Sequence, residues 1–290
     1  MATASKTVSR SQLALSLGDG AAEPLGSAQP PVLELDWPAR ADGAGWQVRH
    51  GPLSAGGPLP RGTALARWLS QACAGQPRQP QGELLIADQN HKLRRRLGFD
   101  AALLTRLELV PLDASEGRTP LRMALQWQAA SWRDEAGDGQ PIKLQAAPRA
   151  GLTAANFRLS GLPAANELVQ RVELPLLQCE PAPPPTGRRR PGPDLLRLGP
   201  LGLVLAGRAR EPLQAWRQAH LTQPGKAPPA LDLAIDLLDS TLKKRLAGIR
   251  LAGCRLLQWQ EAPIASSADA LSTLSLKLSV QGMALDLPAP

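Results

Sequence analysis

The second half of this chain echoes the first, and that repetition limits what it can fold into. Trp68 and Trp216 lie 148 residues apart, each inside a short amphipathic segment. In residues 63–74 (TALARWLSQACA), Leu65, Trp68, Leu69 and Ala72 recur at the spacing of one helix face. In residues 211–221 (EPLQAWRQAHL), Pro212 suits a first helical position, and Leu213, Trp216 and His220 share a face. A Pro- and Gly-bearing gap follows each predicted helix, at 75–82 and 222–229, and a short strand follows each gap. Residues 83–88 pair with 231–236, again at 148. A basic turn comes next, 93–97 in the first half and 242–246 in the second, and Arg106-Leu107 then matches Arg255-Leu256. Both halves close on alternating strands: Leu121, Met123, Leu125 and Trp127, then Leu274, Leu276, Leu278 and Val280. Period-two alternation marks half-buried antiparallel strands.

The front of each half reads as strands as well. They are expected at 12–17, 32–37 and 46–50 in the first half, and at 156–161, 168–177 and 195–208 in the second. Residues 178–194 carry six prolines and read as an extended loop, because proline fixes φ and removes a donor. The expected fold class is mainly β (α+β): two tandem small β-barrel or rolled-sheet domains, each with one short flanking α-helix. Residues 1–135 form the first domain, 136–151 a linker and 152–290 the second. Units of roughly 140 residues match ordinary domain size.

Composition narrows the function. The longest apolar runs, near 201–206 and 251–257, fall far short of the ~20 residues of a membrane span. The apolar stretch 13–17 is too short for a signal peptide, so synthesis and assembly in the cytoplasm are expected. The net charge of +8 is spread over the chain, apart from two clusters, Arg94-Arg95-Arg96 and Arg188-Arg189-Arg190. Both clusters are candidate inter-subunit or inter-ring contacts. Neither encloses an aromatic residue to stack a base, which weakens a nucleic-acid reading.

Little in the sequence speaks for catalysis. His50, His91 and His220 have no partner at metal-ligand spacing, and Gly18-Asp19-Gly20 lacks the third glycine of a dinucleotide loop. Cys73, Cys179 and Cys254 stand alone in apolar stretches and read as small hydrophobes. Asp232, Asp236 and Asp239 alternate with apolar residues, so the first two are expected to face solvent from a strand. No cofactor, no metal and no enzymatic activity are expected.

The order of elements resembles the phage T4-like tail tube protein family, the inner-tube subunits of contractile tails and phage-derived injection systems. Asn156-Phe157-Arg158-Leu159 is similar to its opening strand, and 211–221 with Trp216 to its helix. Residues 231–239 resemble its acid-ended strand, 246–263 with Trp259 and Pro263 its long strand, and 271–285 its last strand. The second half is covered nearly end to end, the first from about Trp46 to Arg133. The first half lacks the opening Asn-Phe, and a tandem arrangement departs from a standard tube subunit.

The resemblance implies a rolled six-stranded barrel with a flanking helix, assembled six to a ring. A chain of two such units would close as a pseudo-sixfold trimer or stack as a hexamer of two rings. It would then meet other tube, baseplate or spike proteins of a tail-like particle. The alternative is a two-domain cytosolic module that binds nucleic acid or an acidic partner through its arginine clusters.

Overall fold

Alternating burial along the strands builds nearly all of this chain. A computed structural model describes residues 12–18, 20–36, 47–76, 78–145, 151–180, 195–221, 230–262 and 272–289. The first half runs β1 (Gln12–Leu17), β2 (Glu23–Leu25), β3 (Ser27–Gln29), β4 (Leu33–Asp36), β5 (Gln47–His50), β6 (Leu53–Pro58) and helix α1 (Ala64–Cys73). It continues with β7 (Gly82–Ala87), β8 (Leu93–Asp100), β9 (Leu103–Leu109), β10 (Leu112–Asp113), β11 (Arg122–Gln128) and β12 (Ser131–Ala136). The second half runs β13 (Phe157–Ser160), β14 (Val169–Glu173), β15 (Leu177–Glu180), β16 (Leu195–Leu198), β17 (Leu201–Ala206) and helix α2 (Arg210–Leu221). It ends with β18 (Leu231–Leu238), β19 (Arg245–Glu261), β20 (Thr273–Ser279) and β21 (Gly282–Asp286). The fold is mainly β, with one short α-helix in each half.

The same connections occur twice. In the first half β1 pairs β7, β7 pairs β8 and β8 pairs β12; in the second β13 pairs β18, β18 pairs β19 and β19 pairs β21. The order β3-β6-β11-β9 likewise matches β14-β17-β20-β19. Each half also carries a side hairpin, β4–β5 and β15–β16. The bonds closing them correspond, from Gly51 N to Val32 O and from Gly199 N to Leu176 O, both 2.8 Å.

One long bent strand joins the two sheets in each half. β19 runs 17 residues, and Gly253 interrupts it with φ 66°. β21 pairs β19 as far as Ala252, and β18 pairs it as far as Cys254; from Arg255 on, β19 pairs β20. A left-handed residue placed mid-strand lets the ladder turn from one sheet to the other, which is the work of a bulge. Gly253 N donates to Asp232 Oδ1 at 3.0 Å, and a Cβ at Gly253 would run into Gln281. In the first half the same bend falls at Ala101, φ 49°, between β8 and β9. Asp232 therefore has a structural partner, and Asp236 pairs with Arg245 at 2.9 Å.

Several element bounds differ from the sequence reading. Residues 168–177 split at Pro175 into β14 and β15, and 195–208 split at Gly199-Pro200 into β16 and β17. Proline cannot donate within a ladder, so each strand ends there. The closing stretch 271–285 holds two strands, β20 and β21. The matched register is also three residues longer than expected. Leu84 faces Leu97 as Ile235 faces Ile249, so β7 and β18 correspond at 151 rather than 148. β7 carries Leu84-Leu85-Ile86, an unbroken apolar run whose parity the sequence leaves open.

Contacts group the chain into two interleaved units. One comprises Met1–Gly57, Arg78–Leu104 and Gln126–Ala147; the other comprises Pro58–Pro77, Thr105–Leu125 and Pro148–Pro290. In the first unit Phe99 is fully buried, its ring 5.6 Å from those of both Trp127 and Trp132. Residues 137–142 of the expected linker run along this unit, with Gly137 N bonded to Arg94 O and Ile142 N to His91 O, both 2.9 Å.

The second unit holds the eight-stranded sheet and both helices. Its core includes Leu203, Leu205, Ile235, Ile249, Leu251, Leu276 and Leu278. Thr63 caps α1, its Oγ1 accepting from Ala66 N at 3.1 Å. Helix α1 packs on β21, and Gly62 N donates to Leu287 O at 2.9 Å.

Phe99 fills the centre of an aromatic cluster that cannot collapse around a void. The F99A variant is expected to lose about 3–5 kcal/mol of unfolding free energy. Urea denaturation followed by Trp fluorescence checks this.

Candidate assembly surface

The residues the sequence singles out fare differently. Arg188, Arg189 and Arg190 lie outside the described residues. Arg94, Arg95 and Arg96 belong to strand β8, not to a basic turn. Each has an acidic neighbour. Arg94 reaches Asp88 at 2.7 Å, Arg95 binds Asp134 through two nitrogens at 2.9 and 2.7 Å, and Arg96 lies 3.4 Å from Glu83. The Arg95 pair holds the Asp134 carboxyl below its ordinary pKa and raises that of the guanidinium. Such exposed pairs add little stability. They do neutralise the cluster locally, so it is no open cationic patch.

The turn itself lies just before the arginines and is built by an aspartate. Asp88 Oδ1 accepts from Asn90 N at 2.8 Å and Lys92 N at 3.0 Å, and His91 sits at φ 60°. The second half repeats the device. Asp239 Oδ1 accepts from Thr241 Oγ1 at 2.8 Å, Lys243 N at 3.1 Å and Lys244 N at 3.2 Å, with Leu242 at φ 59°. Donors aimed at the ionised form lower both pKa values, led by Lys92 N for Asp88 and by the Thr241 hydroxyl for Asp239. These turns set the β7–β8 and β18–β19 hairpins, and sequence reading missed them. Their signal was the Asp at the end of each strand, four or five residues before Lys92 and Lys244.

The thiols show no sign of activation. Burial pushes Cys73 up to about 12. Burial, with a smaller contribution from Asp232, pushes Cys254 up to about 11. A thiol protonated at neutral pH is a poor nucleophile. His220 is held by its own helix, with Nδ1 2.9 Å from Trp216 O and its ring edge-on to the Trp216 ring. Among the described residues, no group of three or more His, Cys, Asp or Glu is placed to hold a metal ion. No helix among them is long and apolar enough to cross a membrane.

What distinguishes the surface is the treatment of sheet edges. The hairpin β15–β16 from the second half adds to β9 from the first, with Leu177 opposite Leu107 and Gln178 opposite Arg106. Leu177 is 0% exposed there. The matching hairpin β4–β5 has no such neighbour among the described residues, forming a separate two-stranded sheet. On it Leu33 is 57% exposed, Leu35 48% and Val48 42%. The second half of β19 also pairs on one side only, with β20, among the described residues, and Leu257 there is 62% exposed. The sequence reading treated these stretches as ordinary strands, because exposure depends on which edge lies beside them.

No known protein family matches the chain, and no curated protein matches it. Among the solved structures that match is the tube terminating cap of an anti-feeding prophage, seen by cryo-electron microscopy. It is 9% identical, with a TM-score of 0.37, over 49% of this chain and 95% of that one. A likeness at that level assigns no function.

The lowered carboxyl of Asp239 fixes a pH dependence. Its contribution is complete above the ordinary aspartate range and is lost as pH falls through the lowered folded value. The D239A variant should therefore melt below the parent chain at neutral pH. The gap should close in acid, once the carboxyl is protonated. Thermal melts by circular dichroism across pH 7 to 2 check this.

Proposed function

We propose that this chain is a non-enzymatic structural subunit that builds a ring of a tail tube, tube-initiating baseplate or hub, in a phage tail or a related injection machine. One observation carries the reading. A hairpin from one half completes the sheet edge of the other half, while the counterpart hairpin and edge have no such neighbour among the described residues. Unpaired backbone edges invite another strand, and repeated subunits satisfy them by joining sheets around a closed ring.

Three further features support it. The two halves share one set of strand connections, which suits a tandem duplication. The matched Asp88 and Asp239 turns place corresponding hairpins alike. The order of elements resembles that of the tail-tube family. Ring assembly also accounts for apolar side chains left on a small two-stranded sheet, where a monomer would gain nothing from them.

The competing reading, a basic module for nucleic acid, has less behind it. Arg94, Arg95 and Arg96 are each matched by a carboxylate. Retention on DNA at low salt that is lost on changing Arg188, Arg189 and Arg190 to Ala would favour it.

The assembly reading predicts that the purified chain, or the chain captured from tail-like particles, has the mass of a closed oligomer and forms a ring in negative-stain images. A chain that stays monomeric at all concentrations and never enters such a particle overturns it.

A further inference from the structure

The structure holds one sheet-edge junction in which both partners are visible, and it holds the two unmatched halves of a second. The complete junction is β15 on β9. Its register is set by Leu177 opposite Leu107 and Gln178 opposite Arg106.

Each partner has a counterpart fixed by hydrogen bonding rather than by sequence likeness. Gly199 N bonded to Leu176 O corresponds to Gly51 N bonded to Val32 O. Leu177 and Gln178 of β15 therefore correspond to Leu33 and Glu34 of β4. On the other side, Leu97 faces β7 as Ile249 faces β18, and the left-handed bends at Ala101 and Gly253 coincide in that alignment. Leu107 and Arg106 of β9 therefore correspond to Trp259 and Gln258 of β19. Leu177 and Leu107 of the complete junction are buried, whereas their counterparts Leu33 and Trp259 are exposed and half-exposed.

We infer that β4 of one chain adds antiparallel to the outer edge of the second half of β19 in a second copy of this chain, with Leu33 opposite Trp259 and Glu34 opposite Gln258. The occupant is a second copy because the edge it fits is present in every chain, in the geometry that the first half already pairs. The bonding is β-augmentation: backbone groups supply the ladder, and alternate side chains supply the register. The apolar set on the hairpin, Leu33, Leu35 and Val48, meets Leu257 and Trp259 on one face of the receiving strand, beside Arg217, whose guanidinium lies 5.1 Å over the Trp259 ring. The contact joins two different surfaces, so it closes a ring of two or more copies or propagates.

This inference rests on the assembly reading and names the surface it uses. Its test is a cysteine pair at two exposed polar positions. Chains carrying E34C are mixed with chains carrying Q258C and oxidised under native conditions. A disulfide-linked dimer between the two variants is expected. E34C mixed with K243C, on the exposed turn before β19, should give at most a tenth of that yield. The chain carrying both E34C and Q258C should give a ladder ending at the mass of the closed assembly. The L33D variant should shift the mass towards a single chain with its circular dichroism spectrum unchanged.

An oligomer that forms without the E34C–Q258C link, or is unchanged by L33D, overturns this pairing and leaves the assembly reading in place. A link formed within one chain also overturns it. A chain monomeric at every concentration, alone and with the other proteins of its particle, overturns both.

Discussion

The bend in the long strand is the constraint on which the rest depends. β19 must serve two sheets, and a strand of ordinary twist cannot do so without a break in its ladder. Gly253 supplies the break in a left-handed conformation, and Asp232 holds it by accepting the glycine N–H. Everything downstream follows from that placement. β21 returns beside the first part of β19, β20 lies beside the second part, and the flanking strands fill in around them. In the first half an alanine, Ala101, takes the same conformation despite its Cβ. A non-glycine residue there costs some conformational energy. Packing that requires the bend at this position must offset that cost.

A strand that leaves one sheet for another also leaves an edge behind. Past Cys254 one side of β19 is no longer covered by β18. The first half solves the same problem at β9 by taking β15 from the second half, and Leu107 and Leu177 are buried as a result. Among the described residues the corresponding edge of β19 has no strand beside it. In the proposed assembly the β4–β5 hairpin of a second copy would supply that strand, as β15 does for β9.

Much of this was legible in the sequence, for definite reasons. Trp68 and Trp216 marked the two helices because a large apolar side chain on one face of a short helix has few other uses. Alternation at 121–127 and 274–280 marked β11 and β20 because their outer faces are polar. Reading failed where local pattern is degenerate. Leu84-Leu85-Ile86 is apolar on both faces, so the repeat was matched three residues out of register. The arginines at 94–96 looked like a turn because charge clusters usually sit in turns; here carboxylates on β7, on β12 and in the preceding turn let them lie in a strand. The exposure of Leu33 or Leu257 was beyond any local pattern. It depends on whether a strand lies alongside, which no local pattern records.

The two halves also differ in a way that bears on how firmly chains would hold together. Helix α1 buries Leu65, Leu69, Ala72 and Cys73 and packs on β21, where Met283 and Leu285 are buried. At the matching helical positions α2 offers a buried Leu213 with Arg217, His220 and an exposed Leu221, and β12 offers Trp132 and Asp134 where β21 has Met283 and Leu285. The seam within a chain is therefore apolar. In the proposed assembly the corresponding seam between chains would set a more polar helix face against a strand bearing charge. Polar, charge-lined contacts steer partners and set register more than they add affinity, and salt weakens them. In such a pair of seams the strand ladder and the exposed leucines would supply the attraction, and the polar helix face would decide which edge is accepted. Each chain can then fold completely before it meets a neighbour, because its apolar seam is already closed, and only the weaker, more selective junction is left for assembly.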